Sequence, residues 1–160
     1  MKANHPDLSW LSDPEVFAVN RKDAHSDHLY YETVAEARAE GKMPLRQCLN
    51  GTWYFSYAKN PSLRVKDFYK ADFDCRSFDK IQVPGHIQTQ GYDTMMYINT
   101  QYPWDGTEFL RPPEISESYN PVGSYVRYFE VEEALKGRPI SISFQGVEIA
   151  FYVWLNGHFV

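Results

Sequence analysis

Cysteine is nearly absent from this sequence: 160 residues contain only Cys48 and Cys75. That excludes a disulfide-dense scaffold, and two separated thiols with no leader before them are expected to be free, buried and kept in a reducing cytoplasm. Neither has a CxxC partner or a nearby His that would suggest zinc or a nucleophile. No apolar run approaches the roughly 18 residues of a membrane helix. The N-terminal Met1-Lys2-Ala3-Asn4-His5-Pro6-Asp7 is polar and is not followed by the apolar stretch of a secretory leader, so a cytoplasmic location is expected. A basic excess is lacking too: 16 basic and 21 acidic residues, mixed along the chain, give a net charge of −5. Nucleic acid and anionic membranes are therefore not expected partners. Phosphate-cradling Gly loops, a Ser nucleophile elbow and the HExxH pattern are also missing.

Aromatic residues, by contrast, make up 16% of the chain and hydrophobic residues 43%, enough for one folded domain with a proper core. Residues 1–44 show weak periodicity apart from a short helical pattern at Glu32-Thr-Val-Ala-Glu-Ala-Arg-Ala-Glu40, closed by Gly41. So short a helix cannot stand alone, and these residues read as an arm lying against another surface. After Pro44 the pattern changes to short β-like runs. Leu49-Asn-Gly-Thr-Trp-Tyr-Phe-Ser-Tyr57 is a turn followed by an aromatic strand, and Lys80-Ile-Gln-Val83 is a second strand ended by Pro84-Gly85. Gly123–Val131 alternates well and Pro139–Gln145 alternates strictly, so each is expected to bury one face. Ala150–Val160 reads as a strand, an Asn156-Gly157 hairpin turn and the opening of a return strand. Three residues are too few for that return strand, which leads to the expectation of a piece of a longer chain. The fold expected is all-β: a jelly-roll β-sandwich over residues 45–160, incomplete at its C-terminal end and preceded by the 1–44 arm.

The irregular run from Val83 to Trp104 draws most attention for function. Tyr92, Tyr97, Tyr102 and Trp104 flank Asn99 and Gln101 there, setting apolar faces beside amides that both donate and accept hydrogen bonds. A hexose presents the matching surfaces, and loops on a rigid scaffold are where binding residues gather. Taken singly, each Tyr is more easily explained as core beneath a long loop; Asn99 is the better candidate for contact. His86 has no partner at metal-ligand spacing and is read as structural. His25 and His28, beside Asp23 and Asp27, could hold a cation, but a solvated polar arm explains them as well. Glu114, Glu117, Glu132 and Glu133 do not form a convincing acid/base pair: neighbours on a strand point to opposite faces, whereas retaining glycoside hydrolysis needs carboxyls about 5 Å apart. No catalytic or metal-ligating residue is expected within the chain. On its residues alone it reads as a binding domain.

Many segments occur here in the order they take in a known family. They are Asn20-Arg21, Leu49-Asn-Gly-Thr-Trp-Tyr-Phe55, Val83-Pro84, Gln88, Gly91-Tyr92-Asp93, Tyr97, Asn99, Tyr102-Pro103, Asn120-Pro-Val-Gly-Ser-Tyr125, Phe144, Gly146-Val147 and Phe151-Tyr-Val-Trp-Leu-Asn-Gly157. In these the chain resembles the N-terminal region of glycoside hydrolase family 2 β-galactosidases. The Asn-Arg pair and Gly-Tyr-Asp favour that branch over the family's β-glucuronidases and β-mannosidases. The resemblance implies a jelly-roll sugar-binding domain, an arm engaged in subunit contacts of a homo-oligomer, and a galactose contact at Asn99 with Tyr97 close by. It also implies a parent enzyme that hydrolyses terminal β-galactosides with retention, through two glutamates of a later barrel domain. Magnesium and sodium are implied for that parent, mostly through residues beyond these 160. One magnesium site would touch the arm near Asp13 and Val16, where Trp10 replaces an acidic ligand. By itself the fragment is expected to be inactive and to hold no cofactor. The alternatives are a free-standing carbohydrate-binding module and another family 2 glycosidase, a β-glucuronidase or a β-mannosidase.

Overall fold

A computed structural model describes residues 1–160 apart from His25, Asp27, Lys42 and Ile98. Among the described residues the sheets are antiparallel and there is one short α-helix, so the chain is all-β in its regular structure. No helix in them is long and apolar enough to cross a membrane.

Three strands carry the fold. β1 (Gly51–Ala58) lies between β2 (Asp79–Val83) and β3 (Val122–Val126), antiparallel to both. Trp53-Tyr54-Phe55 is rich in aromatics that suit a pleated, half-buried surface, and β1 has a partner on each edge. Register puts Phe55 opposite Asp79 on one side and Tyr125 on the other. Phe55 and Ile81 of β2 are buried beside Ser124, and Cys75 lies buried before β2. The rings of Phe55 and Tyr125 stand 4.8 Å apart across the ladder. A β-carbon on Gly123 would come within 2.6 Å of Phe55 and 2.7 Å of Tyr125, so the ring contact depends on the missing side chain.

The strand reading needs two corrections. β3 ends at Val126 instead of running on to Val131. Pro139–Gln145, despite its strict alternation, forms no strand and pairs with no described residue in a ladder; Ile140, Ile142 and Phe144 are exposed. Alternation says which face could be buried, while a strand also requires a neighbouring backbone to bond to. The Asn156-Gly157 turn is as expected. Both residues take positive φ, 50° and 83°, and join β4 (Trp154–Leu155) to β5 (His158–Phe159) in a two-residue hairpin. β4 begins four residues after the expected start at Ala150.

Described residues of 1–44 make several contacts with the rest of the chain. The helix here, α1, spans Val34–Arg38, shorter than the pattern over 32–40. Thr33 caps it: its Oγ1 accepts from the Glu36 N–H while the Glu36 carboxylate accepts from the Thr33 N–H. The helix gives way before Gly41, with Glu40 already at positive φ. Near the terminus the Asn20 amide both donates to and accepts from the Ala3 backbone, at 2.8 and 3.0 Å. Trp10 stacks on Tyr152, whose hydroxyl donates to the Asp7 carbonyl at 2.8 Å. Farther along, the Glu32–Arg138 ion pair and a Lys22 Nζ–Ser141 Oγ bond join this stretch to residues near 140.

Candidate functional site

The run after β2 is built in two halves. In the first, Pro84-Gly85 turns the chain and residues Gln88–Gln90 form one 3-10 turn. The Gln90 side-chain amide bonds in both directions to the Gln82 backbone, at 2.8 and 3.0 Å, which ties this turn to the edge of β2. A side chain on Gly85 would strike Gln90 Nε2 at 2.6 Å, so glycine permits that approach. Gly91 then takes a left-handed φ of 92° and delivers Tyr92 to the sheet, where its ring meets Phe55 at 4.6 Å. Burial is the main cause raising the Tyr92 hydroxyl's pKa above the ordinary phenol value, with a hydrogen bond to Asp79 adding to it.

The second half projects outward. Tyr97 is 84% exposed, Asn99 is exposed, and the Asn99 Nδ2 donates to the Tyr97 hydroxyl at 3.0 Å. Met95, Met96 and Gln101 are exposed around them. Tyr102 and Trp104, in contrast, are half-buried with their rings edge to face at 5.4 Å, and each donates to a backbone carbonyl: Tyr102 Oη to Glu114 at 2.6 Å, Trp104 Nε1 to Tyr119 at 2.7 Å. Of the four aromatics singled out from sequence, then, Tyr92, Tyr102 and Trp104 are engaged in packing, and Tyr97 stands beside Asn99 at the surface.

Asp93 links the two halves. It adopts a positive φ of 59°, its carboxylate accepts from the Tyr119 hydroxyl, and its charge acts on the Tyr57 phenol of β1. Both phenols have raised pKa values. For Tyr119 the bond to Asp93 is the main cause; for Tyr57 burial comes first and the Asp93 charge second. Reasoning from sequence missed Tyr119, which lies 26 residues from Asp93 and has no local pattern to give it away.

Two hollows elsewhere, of about 460 and 380 Å³, are lined respectively by residues including Arg46 and Glu132, and by residues including Tyr69 and Trp154. Neither is lined by a described residue of 83–104, and Asn99 and Tyr97 are themselves exposed. An amide beside a phenol there can accept from and donate to one hydroxyl-bearing ligand, but the two alone do not enclose it.

The remaining candidates separate. Cys48 and Cys75 are free; Cys75 is buried as expected, whereas Cys48 is exposed. The His86 imidazole is also exposed, with Nδ1 3.9 Å from Glu148, and its backbone carbonyl accepts from Thr89, so the structural part is played by backbone and not by the ring. The Glu133 carboxylate pairs with Lys136. His25 and Asp27 lie outside the described residues, while the ring of His28 meets Tyr30 edge-on at 6.3 Å. The Asp13 carboxylate accepts from the Glu15 N–H at 3.0 Å. Trp10 is committed to the aromatic contacts with Tyr152 and Phe159, and among the described residues no three His, Cys, Asp or Glu side chains gather to hold a metal.

Comparison with known proteins gives this surface a context. Residues 46–160 match the family model described as glycosyl hydrolases family 2, sugar binding domain. A β-galactosidase of Clostridium acetobutylicum is 60% identical over 157 residues, covering 98% of this chain and 18% of that relative. One from Halalkalibacterium halodurans is 61% identical, with 98% and 15% covered. The β-galactosidase large subunit of Leuconostoc lactis is 48% identical, with 100% and 27% covered. The chain thus spans between 15% and 27% of the length of these curated relatives.

Proposed function

Since the chain belongs to glycoside hydrolase family 2 through its sugar-binding domain, we propose that it is the N-terminal part of a longer β-galactosidase and supplies one wall of its galactose site. The observation that carries this reading is the exposed Asn99–Tyr97 pair, displayed on a segment whose other aromatics are used in packing. A side-chain amide satisfies a sugar hydroxyl in both directions, and a phenol beside it fixes the amide's orientation. The pair is exposed, which suits a site completed by residues from elsewhere in the longer chain. Retaining hydrolysis of a terminal β-galactoside needs two carboxyl groups about 5 Å apart across the scissile bond. In this reading that pair belongs to a separate catalytic barrel, and these 160 residues bind and orient the substrate.

The rest follows the same reading. Residues 1–44 are an arm, residues 45–160 a jelly-roll domain completed by further strands, and the whole enzyme a cytoplasmic homo-oligomer. Its magnesium and sodium ions, which would supply electrostatic support when bound, are assigned to residues outside this chain, because Trp10 occupies the position where the arm would need an acidic ligand. Two measurements test the proposal. The purified 160-residue chain is expected to leave a chromogenic galactoside intact, and Asn99→Ala in the longer hydrolase is expected to raise KM about tenfold, as loss of one good hydrogen bond does. Turnover by the short chain that a point mutation within it abolishes would defeat the assignment.

A further inference from the structure

Apart from Ile98, which lies outside the described residues, the chain leaves the body of the molecule at Asp93 and returns at Trp104, and both points meet one residue. The Tyr119 hydroxyl donates to the Asp93 carboxylate, while the Tyr119 carbonyl accepts from Trp104 Nε1 at 2.7 Å. Tyr119 is in turn well held. Its N–H donates to the Oγ of Ser116, which is 2% exposed, and the hydroxyls of Ser116 and Ser118 both donate to Glu108 Oε1. The next residue, Asn120, donates its N–H to the Lys59 carbonyl just past β1, at 2.9 Å. Tyr119, through its side chain and its own carbonyl, thus ties both loop ends to a segment bonded beside β1.

We propose that Tyr119 is a positioning residue, which closes the 93–104 loop at both ends and so holds the Asn99–Tyr97 pair in one place. Fixing both ends of a loop removes most of the orientations its tip can sample, so a ligand does not have to do so on binding. A charge-assisted bond at one end and an indole bond at the other make the closure specific, since neither a phenylalanine at 119 nor one at 104 could reproduce it. For its consequence in sugar binding the proposal rests on the function proposed above; for the closure itself it rests only on these contacts.

The experiment separates the two. Limited chymotrypsin digestion of the 160-residue chain reports closure, because Tyr97 is exposed at the loop's tip. Tyr119→Phe keeps the ring and removes the hydroxyl, and cleavage after Tyr97 is expected to speed up about tenfold, well beyond any change at other sites, with only a modest fall in the urea midpoint. Trp104→Phe approaches from the other end and is expected to act at the same site. An unchanged rate after Tyr97 in both variants, or an equal acceleration at every site, overturns the proposal. In the longer hydrolase, Tyr119→Phe is expected to raise KM for a galactoside with little change in kcat, and to add nothing once Asn99 is alanine. Additive effects would show that Tyr119 does not act through Asn99, and would also overturn it. If Asn99→Ala leaves KM unchanged, the sugar-contact reading fails, and digestion alone then decides whether Tyr119 closes the loop.

Discussion

Phe55 and Phe144 belong to two stretches of similar apolar content whose surroundings differ. Phe55 is fully buried, with a strand bonded on each side of its own and the rings of Tyr92 and Tyr125 within 5 Å. Phe144 is 39% exposed, and its ring meets Phe151 at 5.3 Å in a region without ladder bonds. What differs is the supply of neighbouring backbone. β1 receives β2 from the chain just after it and β3 from farther on, whereas residues 139–145 receive no strand among the described residues. A sheet is made by pairing, and an apolar period of two only prepares a segment for it.

The sharpest way to break this contrast is to truncate the two phenylalanines. Phe55→Ala removes a ring that fills the space between β2 and β3 and is expected to cost about 3–5 kcal/mol, read as a lower urea midpoint. Phe144→Ala is expected to cost far less in the same measurement, and equal losses would show that the 139–151 region is as well packed as the sheet. Here sequence was informative. The aromatic run at 53–55, the turn at Pro84-Gly85 and the Asn156-Gly157 hairpin carry their structure in local residue chemistry, and each was legible. β3's early end and the unpaired 139–145 were not, because both depend on whether a distant backbone arrives.

The candidate site divides in the same way. Asn99 could be chosen for what an amide can do, and Tyr97 only through the family resemblance, but the residues that aim them could not. Tyr57, Asp93 and Tyr119 come together only when β1, the Gly91 turn and the 116–120 turn are folded. These phenols also give the sheet side of the comparison a smaller, pH-dependent mark. Tyr57, Tyr92 and Tyr119 all have folded-state pKa values raised above 10, and Tyr128, hydrogen-bonded to Cys75 and close to its charge, is pushed up to about 12. A phenol that holds its proton more tightly when folded contributes stability fully below pH 10 and loses it as pH rises toward 12. Urea midpoints are therefore expected to be flat from pH 7 to 9.5 and to fall above pH 10. Tyr119→Phe should blunt that fall; a fall of undiminished size would mean that other groups cause it.

The smallest expected effect bears most directly on the unpaired segment. Ile142 lies at the centre of the alternating run and is 46% exposed, so Ile142→Ser removes only about half the burial of a core isoleucine and should cost no more than about 1 kcal/mol. Ile81→Ser, by contrast, places a hydroxyl in the fully packed face of β2 and should be clearly destabilising in the same assay. In a longer chain whose additional residues pair with 139–145 and cover that face, Ile142→Ser should instead cost about 1–3 kcal/mol, in line with burying most of an isoleucine. Measuring one substitution in both contexts therefore reports whether the alternating pattern serves a strand that a neighbour completes. A negligible cost in both would mean that the alternation marks an exposed segment, and the jelly-roll reading of this region would have to be given up.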